Sequence, residues 1–249
     1  MISGHDKTFT YTKPPEDDRD LIYERSSTDI KPFINLTEYA SAVDDQYLLG
    51  SCVSTSIVNA YELLVIKEKV EPFTNLSRLF LYYNIRKIYG NIDENTGASI
   101  RDGIKTVKQY GLCDESCWPY DVEKFAVQPP EICYTAALHR SIKKYYALTN
   151  IGDCLDALSL GFPLVIGLQI YNNFLTIDST NNILTNPTYP STPLGGHAMC
   201  IIGYDLQKNL FLAKNSFGTN WGDKGYCWIT FDYIQINAFD IWMFEILIT

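Results

Sequence analysis

DDQYLLGSCVSTSIVNAYELL, residues 44–64, sets a glutamine six positions ahead of a cysteine at the start of what reads as a helix. From Cys52 onward Val53, Ile57, Ala60 and Leu64 recur at helical spacing, which predicts an amphipathic or buried helix over 52–68. A thiol at the first position of a helix faces the positive end of the macrodipole and several unpaired backbone N–H groups, which favours the thiolate. A lone cysteine, however, is more often a small buried residue. A reactive role for Cys52 therefore needs partners elsewhere in the chain.

Outward from this stretch, LSRLFLYYNIRKIYG (76–90) and SIRDGIKTVKQYG (99–111) repeat the helical pattern, each ending on a glycine suited to a left-handed cap. After PYDVEKFAVQPPE (119–131) the texture changes. A short helix, DCLDALSLG (153–161), takes Asp153 as its N-cap, with Pro163 beyond its glycine stop. PLVIGLQIY (163–171), HAMCIIGYD (197–205), NLFLAKNS (209–216), YCWITF (226–231) and IWMFEILI (241–248) are rich in β-branched and aromatic residues and predict strands. Residues 172–194 show no pattern of their own and predict a long loop, functional or disordered. The first thirty residues, with paired prolines and the acidic EDDRD (16–20), predict an extended arm. The expected organisation is an arm over 1–30, a mainly helical lobe over 31–135 and a mainly β lobe over 136–249.

A chain of 249 residues suffices for one large domain or two small lobes sharing a core. Its formal net charge of −9 and the lack of any lysine and arginine cluster argue against nucleic acid and anionic membrane as partners. The first twenty residues lack the basic-then-apolar pattern of a secretory signal, and no apolar run is long enough to span a bilayer. Seven cysteines cannot all pair within the chain, and their spacing is not that of a small secreted scaffold. Reduced thiols in a soluble, cytoplasm-like compartment are expected, and the sequons at Asn35 and Asn75 do not overturn this. Cys113, Cys117, Cys133 and His139 fit no common zinc spacing and read as core residues, so no metal is expected. The glycines of GTNWGDKG (218–225) lack the lysine and hydroxyl of a phosphate loop and read as turns.

Partners for the thiol lie in the second half. His197 sits in LGGHAMCIIGYD (194–205), with two glycines before it and a predicted strand after it; glycines there let another backbone approach closely. Asn215 sits in KNSFGTNWGDKGYCWI (214–229). A neutral amide suits an imidazole, because its carbonyl accepts one ring N–H while the opposite nitrogen stays free to meet a thiol.

Taken in order, QYLLGSC (46–52), GASIRDGIKTVKQYGLCDESCWPYD (97–121), GGHAMCIIGYD (195–205) and KNSFGTNWGDKGY (214–226) resemble the motifs of the papain-like cysteine peptidases. The resemblance runs from about residue 34 to the end and is closest to the disulfide-poor branch of bacteria, archaea and large viruses. It implies an α+β, papain-like two-lobe fold: a helical lobe, a β-barrel-like lobe and an active-site cleft between them. Cys52 would be the nucleophile, His197 the general base and acid, Asn215 the residue that orients the imidazole, and Gln46 an oxyanion donor beside the N–H of Cys52. The spacing from Cys52 to His197 falls within the roughly 130 to 150 residues usual for the family, and Asn215 lies slightly beyond it.

The implied chemistry is peptide hydrolysis through a thioester, with peptide or protein as substrate and no cofactor. Gly97, Ala98 and Ser99 would form the edge that pairs with extended peptide. Ser99, Ile100, Gly167 and Ala198, with Gly196 beside the histidine, would face the pocket for the residue preceding the cleaved one; ordinary loop and core packing is the alternative. Phe217 and Trp221 would support the asparagine–histidine contact. Three positions depart from the family pattern: Val53 replaces an aromatic, Leu49 a disulfide cysteine and Phe217 a tryptophan, and none of them is a reacting group. A peptide-binding module without activity, or acyl transfer to an amine, are the competing readings. The arm, too short for the usual folded prosegment, would be an inhibitory strap, an ordered part of the working enzyme, or disordered.

Overall fold

A computed structural model describes residues 7–26, 29–70 and 72–248; the remaining positions of the arm, 1–6 and 27–28, lie outside them. Six helices, α1 (Cys52–Lys67), α2 (Arg78–Tyr89), α3 (Ile100–Tyr110), α4 (Glu131–Ala137), α5 (Ile151–Ser159) and α6 (Phe231–Asn237), accompany eight strands. The strands are β1 (Phe33–Asn35), β2 (Arg140–Leu148), β3 (Leu164–Tyr171), β4 (Ile183–Leu184), β5 (Pro193–Asp205), β6 (Leu210–Lys214), β7 (Tyr226–Thr230) and β8 (Ala238–Ile248).

Every residue of α1 from Cys52 to Val65 is buried, so α1 is a core helix rather than an amphipathic one. It packs against α2 and α3 on one side and β5 on another, which makes it the seam between helices and sheet. Ser77 and Ser99 start the two neighbours as N-caps, each hydroxyl accepting a backbone N–H, of Phe80 and of Asp102. Both helices stop at glycines, Gly90 with φ 72° and Gly111 with φ 75°, where side-chain-bearing residues would be strained.

The strands form one sheet in the order β2-β8-β3-β5-β6-β7-β4, with β1 paired to β5; only β4 against β7 is parallel. The end strands β2 and β4 do not pair with each other, so the β-barrel-like lobe is an open sheet rather than a closed barrel. Its central strand β5 is buried from Gly196 to Tyr204, and both α1 and α5 pack against it. That double cover explains why HAMCIIGY reads as a continuous apolar run instead of alternating.

Several local expectations need correction. Helix α5 is capped by Asn150, not Asp153: the Asn150 side chain accepts the Asp153 N–H at 3.1 Å, and the Asp153 carboxylate reaches back to the Thr149 N–H at 3.1 Å. Strand β2 went unpredicted because Lys143 and Lys144 interrupt its alternation at a bulge between Ile142 and Lys144. The patternless stretch 172–194 carries a tight turn over Asn172–Thr176, a second turn closed between Asp178 and Asn181, the two-residue β4 and the first two residues of β5. All seven cysteines are free, and Cys113 and Cys133 sit in a small apolar cluster with Phe80 and Ala137.

Candidate active site

Cys52 opens α1, and its side chain is fully buried. His197 sits on β5, the strand against which α1 packs. Asn215 leaves the end of β6, the next strand over, where the Cys200 and Lys214 pairing aligns the two. The imidazole Nε2 lies 2.8 Å from Asn215 Oδ1, and the imidazole Nδ1 has no hydrogen-bond partner. In the neutral ring Nε2 is then the donor to the amide oxygen and Nδ1 the free base.

Aromatic rings close around this pair. Phe217 lies 4.9 Å from the imidazole between ring centroids, and Trp221 packs behind it at 6.0 Å. Phe174, in the tight turn that follows β3, adds a third wall at 5.5 Å; it was invisible in a sequence stretch without pattern. Apolar cover of this kind keeps water from competing for the imidazole–amide bond.

Gln46 is fully buried and held at three points. Its backbone N–H donates to Ser216 O at 2.8 Å, its Oε1 accepts the Ser216 hydroxyl at 2.5 Å, and its Nε2 donates to Leu49 O at 2.8 Å. A primary amide has two N–H bonds, so one remains uncommitted. Tyr120 adds a brace that the sequence did not suggest: its hydroxyl donates to Gln46 O at 2.9 Å and meets Ser51 Oγ, next to Cys52, at 2.6 Å.

The N-terminal arm lies across this constellation. Lys7 pairs with Asp45 at 2.5 Å and places its ammonium 5.1 Å from the Phe217 ring centroid. Phe9 presents its ring edge-on to His197, 5.8 Å between centroids. Tyr11 donates its N–H to Gly196 O at 2.9 Å and Thr12 donates to Ala98 O at 3.5 Å, while a Cβ at Gly97 would collide with the Thr10 carbonyl. The edge expected to hold peptide thus holds the arm. Ser99 spends its hydroxyl on capping α3, where it donates to Asp102 at 2.6 Å, and the Ile100 side chain is core; only backbone is offered to the cleft there. Gly167 borders the Tyr11 ring, and Ala198 is buried beside Cys52.

Burial has an electrostatic consequence. It pushes the Cys52 thiol up to about 11, against the downward pull of the Ala198 and Val53 N–H groups. Burial also pulls His197 down to about 4, and the Lys7 ammonium adds to that shift while the Asn215 bond opposes it. The helix-start expectation of a favoured thiolate is overridden in this covered state, because desolvation outweighs the dipole and the N–H groups. Thiol and imidazole both stand neutral.

The model of the papain family cysteine proteases aligns with residues 29–241. The chain belongs to the papain family of cysteine proteases. An uncharacterized peptidase C1-like protein of Acanthamoeba polyphaga mimivirus is 37% identical over 229 residues, covering 87% of this chain and 73% of the viral protein. Thiol protease aleurain of Arabidopsis thaliana is 34% identical over 193 residues, 75% of this chain and 51% of its own length. Among solved structures xylellain, a cysteine protease from Xylella fastidiosa, superposes with a TM-score of 0.87 at 32% identity over 95% of both chains. This chain therefore shares its fold with a bacterial cysteine protease.

Proposed function

We propose that this papain-family protein hydrolyses peptide bonds with Cys52 as nucleophile, His197 as base and acid, Asn215 as the residue orienting the imidazole, and Gln46 as an oxyanion donor. The observation that carries the proposal is the 2.8 Å bond between His197 Nε2 and Asn215 Oδ1, which leaves Nδ1 without a hydrogen-bond partner on β5, the strand that packs against the helix of Cys52. Nδ1 takes the thiol proton, sulfur attacks the scissile carbonyl, and the imidazolium hands that proton to the leaving amine. Water then attacks the thioester with the same imidazole as base. The oxyanion formed in each step meets the spare Gln46 N–H and the Cys52 backbone N–H; one such donor contributes about 3 kcal/mol of transition-state stabilisation.

The substrate is peptide or protein bound in extended form, since Gly196 O and Ala98 O accept backbone N–H groups from the arm that now occupies the edge. No helix among the described residues is long and apolar enough to cross a membrane. The arm acts as a strap that keeps the site latent: it covers His197, adds a cation beside it and holds the reacting pair neutral. Its other end is anchored away from the cleft, where Arg25 pairs with Asp153 at 2.8 Å and Tyr23 donates to Asp156 at 2.8 Å. Fluorogenic peptides incubated with the full-length protein, with Phe9→Ala/Tyr11→Ala and with Cys52→Ala test both parts. Turnover that rises in the double variant and vanishes without the thiol supports them; turnover that survives Cys52→Ala refutes the mechanism.

A further inference from the structure

The arm carries an imprint of what one pocket of the cleft accepts. Tyr11 is only 4% exposed, and while its backbone pairs with Gly196 its ring turns inward. The ring stacks on Phe239, 5.7 Å between centroids with 27° between planes. It also lies against Gly167, where a Cβ would collide with the ring carbons, so that wall admits an aromatic only because it lacks a side chain. At the end of the pocket the phenol donates to Asp240 Oδ1. The other Asp240 oxygen accepts the Trp242 indole N–H at 2.9 Å, which fixes the carboxylate.

The pocket end thus presents a buried acceptor. A hydroxyl satisfies it; a phenyl ring does not and leaves one oxygen of a buried carboxylate unpaired. Lys13 and Arg101 already place positive charge near Asp240, which offsets the negative charge that would attract an ammonium or guanidinium. Burial also raises the Asp240 carboxyl from its ordinary range, so it is a weaker magnet for cations than an exposed aspartate. A site built to bond a substrate hydroxyl discriminates strongly against the analogue lacking it. Resting on the peptidase reading above, we infer that this pocket receives the substrate residue preceding the cleaved one and selects tyrosine over phenylalanine, with Asp240 as the specificity-determining residue. Tyr11 holds the place of that side chain.

The test uses the full-length chain carrying Phe9→Ala and Tyr11→Ala, which vacates the pocket. Dipeptidyl vinyl sulfones differing only at the residue in question (Tyr, Phe, Arg or Leu) are reacted with it, and Cys52 alkylation is timed by intact mass. The tyrosine probe is expected to react at least about tenfold faster than the phenylalanine probe. Adding Asp240→Ala should bring that ratio near one, and Asp240→Asn, which keeps an acceptor for the indole, should lower it. Gly167→Ala should slow both aromatic probes relative to leucine. Equal tyrosine and phenylalanine rates, a preference for arginine, or a ratio that survives Asp240→Ala would each overturn the assignment while leaving the peptidase reading intact. Alkylation of Cys52 by iodoacetamide but by none of the four peptides would sink the peptidase reading and this one with it.

Discussion

At the residue scale the decisive feature is a histidine whose two nitrogens have different employment. Nε2 is tied to Asn215, and Nδ1 has no hydrogen-bond partner. Gln46 is as tightly held as the histidine, and Gln46→Ala should lower kcat by about 10²- to 10³-fold while changing KM much less, measured by steady-state peptide cleavage. The covered site also predicts a pH dependence with a definite sign. With Cys52 up at about 11 and His197 down at about 4, the thiolate forms only as pH rises into the alkaline range. Iodoacetamide labelling of Cys52 in the full-length protein should therefore climb steadily with pH. In Phe9→Ala/Tyr11→Ala water returns and the Phe9 ring leaves the imidazole, so Cys52 falls, His197 rises and a labelling plateau appears near neutral pH. Superimposable profiles for the two proteins would contradict this account. Cys52, His197, Asn215 and Gln46 could be read in the chain because each sits in a short motif with its neighbours; Asp240 and Ser216 could not, since their roles depend on contacts with residues far away in sequence.

At the element scale the site depends on how α1, β5 and β6 are clamped together. Lys214, 2% exposed at the end of β6, donates from its ammonium to Ser41 O at 2.9 Å, Ala42 O at 2.9 Å and Asn59 Oδ1 of α1 at 2.8 Å. A buried cation so committed joins the strand before Asn215 to the helix that begins with Cys52. Lys214→Met keeps the stem but leaves two buried acceptors and one part-buried acceptor unpaired, and should cost about 3 kcal/mol of stability in urea unfolding. Helix α1 was legible from its period, α2 and α3 from period and glycine stops, and β3, β5, β6, β7 and β8 from β-branched runs. Strand β2 was hidden by its lysines. The short β1 and β4 exist only because a sheet edge is there to pair with, which no local pattern encodes.

At the scale of the whole molecule, the first and last thirds of the chain meet in the cleft. Tyr11 lies on Gly167 and Asp240, while Phe9 lies on His197 and Phe217. That closure could be foreseen only in outline, because a stretch with two prolines and four acidic residues carries no periodicity to locate it. The strap is held in the cleft mainly by aromatic contacts and two backbone bonds, and outside it by the Arg25 and Tyr23 anchors. Weakening the anchors alone, as in Arg25→Ala/Tyr23→Phe, should raise peptide turnover less than Phe9→Ala/Tyr11→Ala does, a ranking that initial rates will check. The most direct measurement is cleavage of a fluorogenic peptide library under reducing conditions by Phe9→Ala/Tyr11→Ala, with and without an added Cys52→Ala. Turnover that depends wholly on Cys52 is the predicted result, and turnover indifferent to that thiol, or none from the uncovered site, would contradict the account.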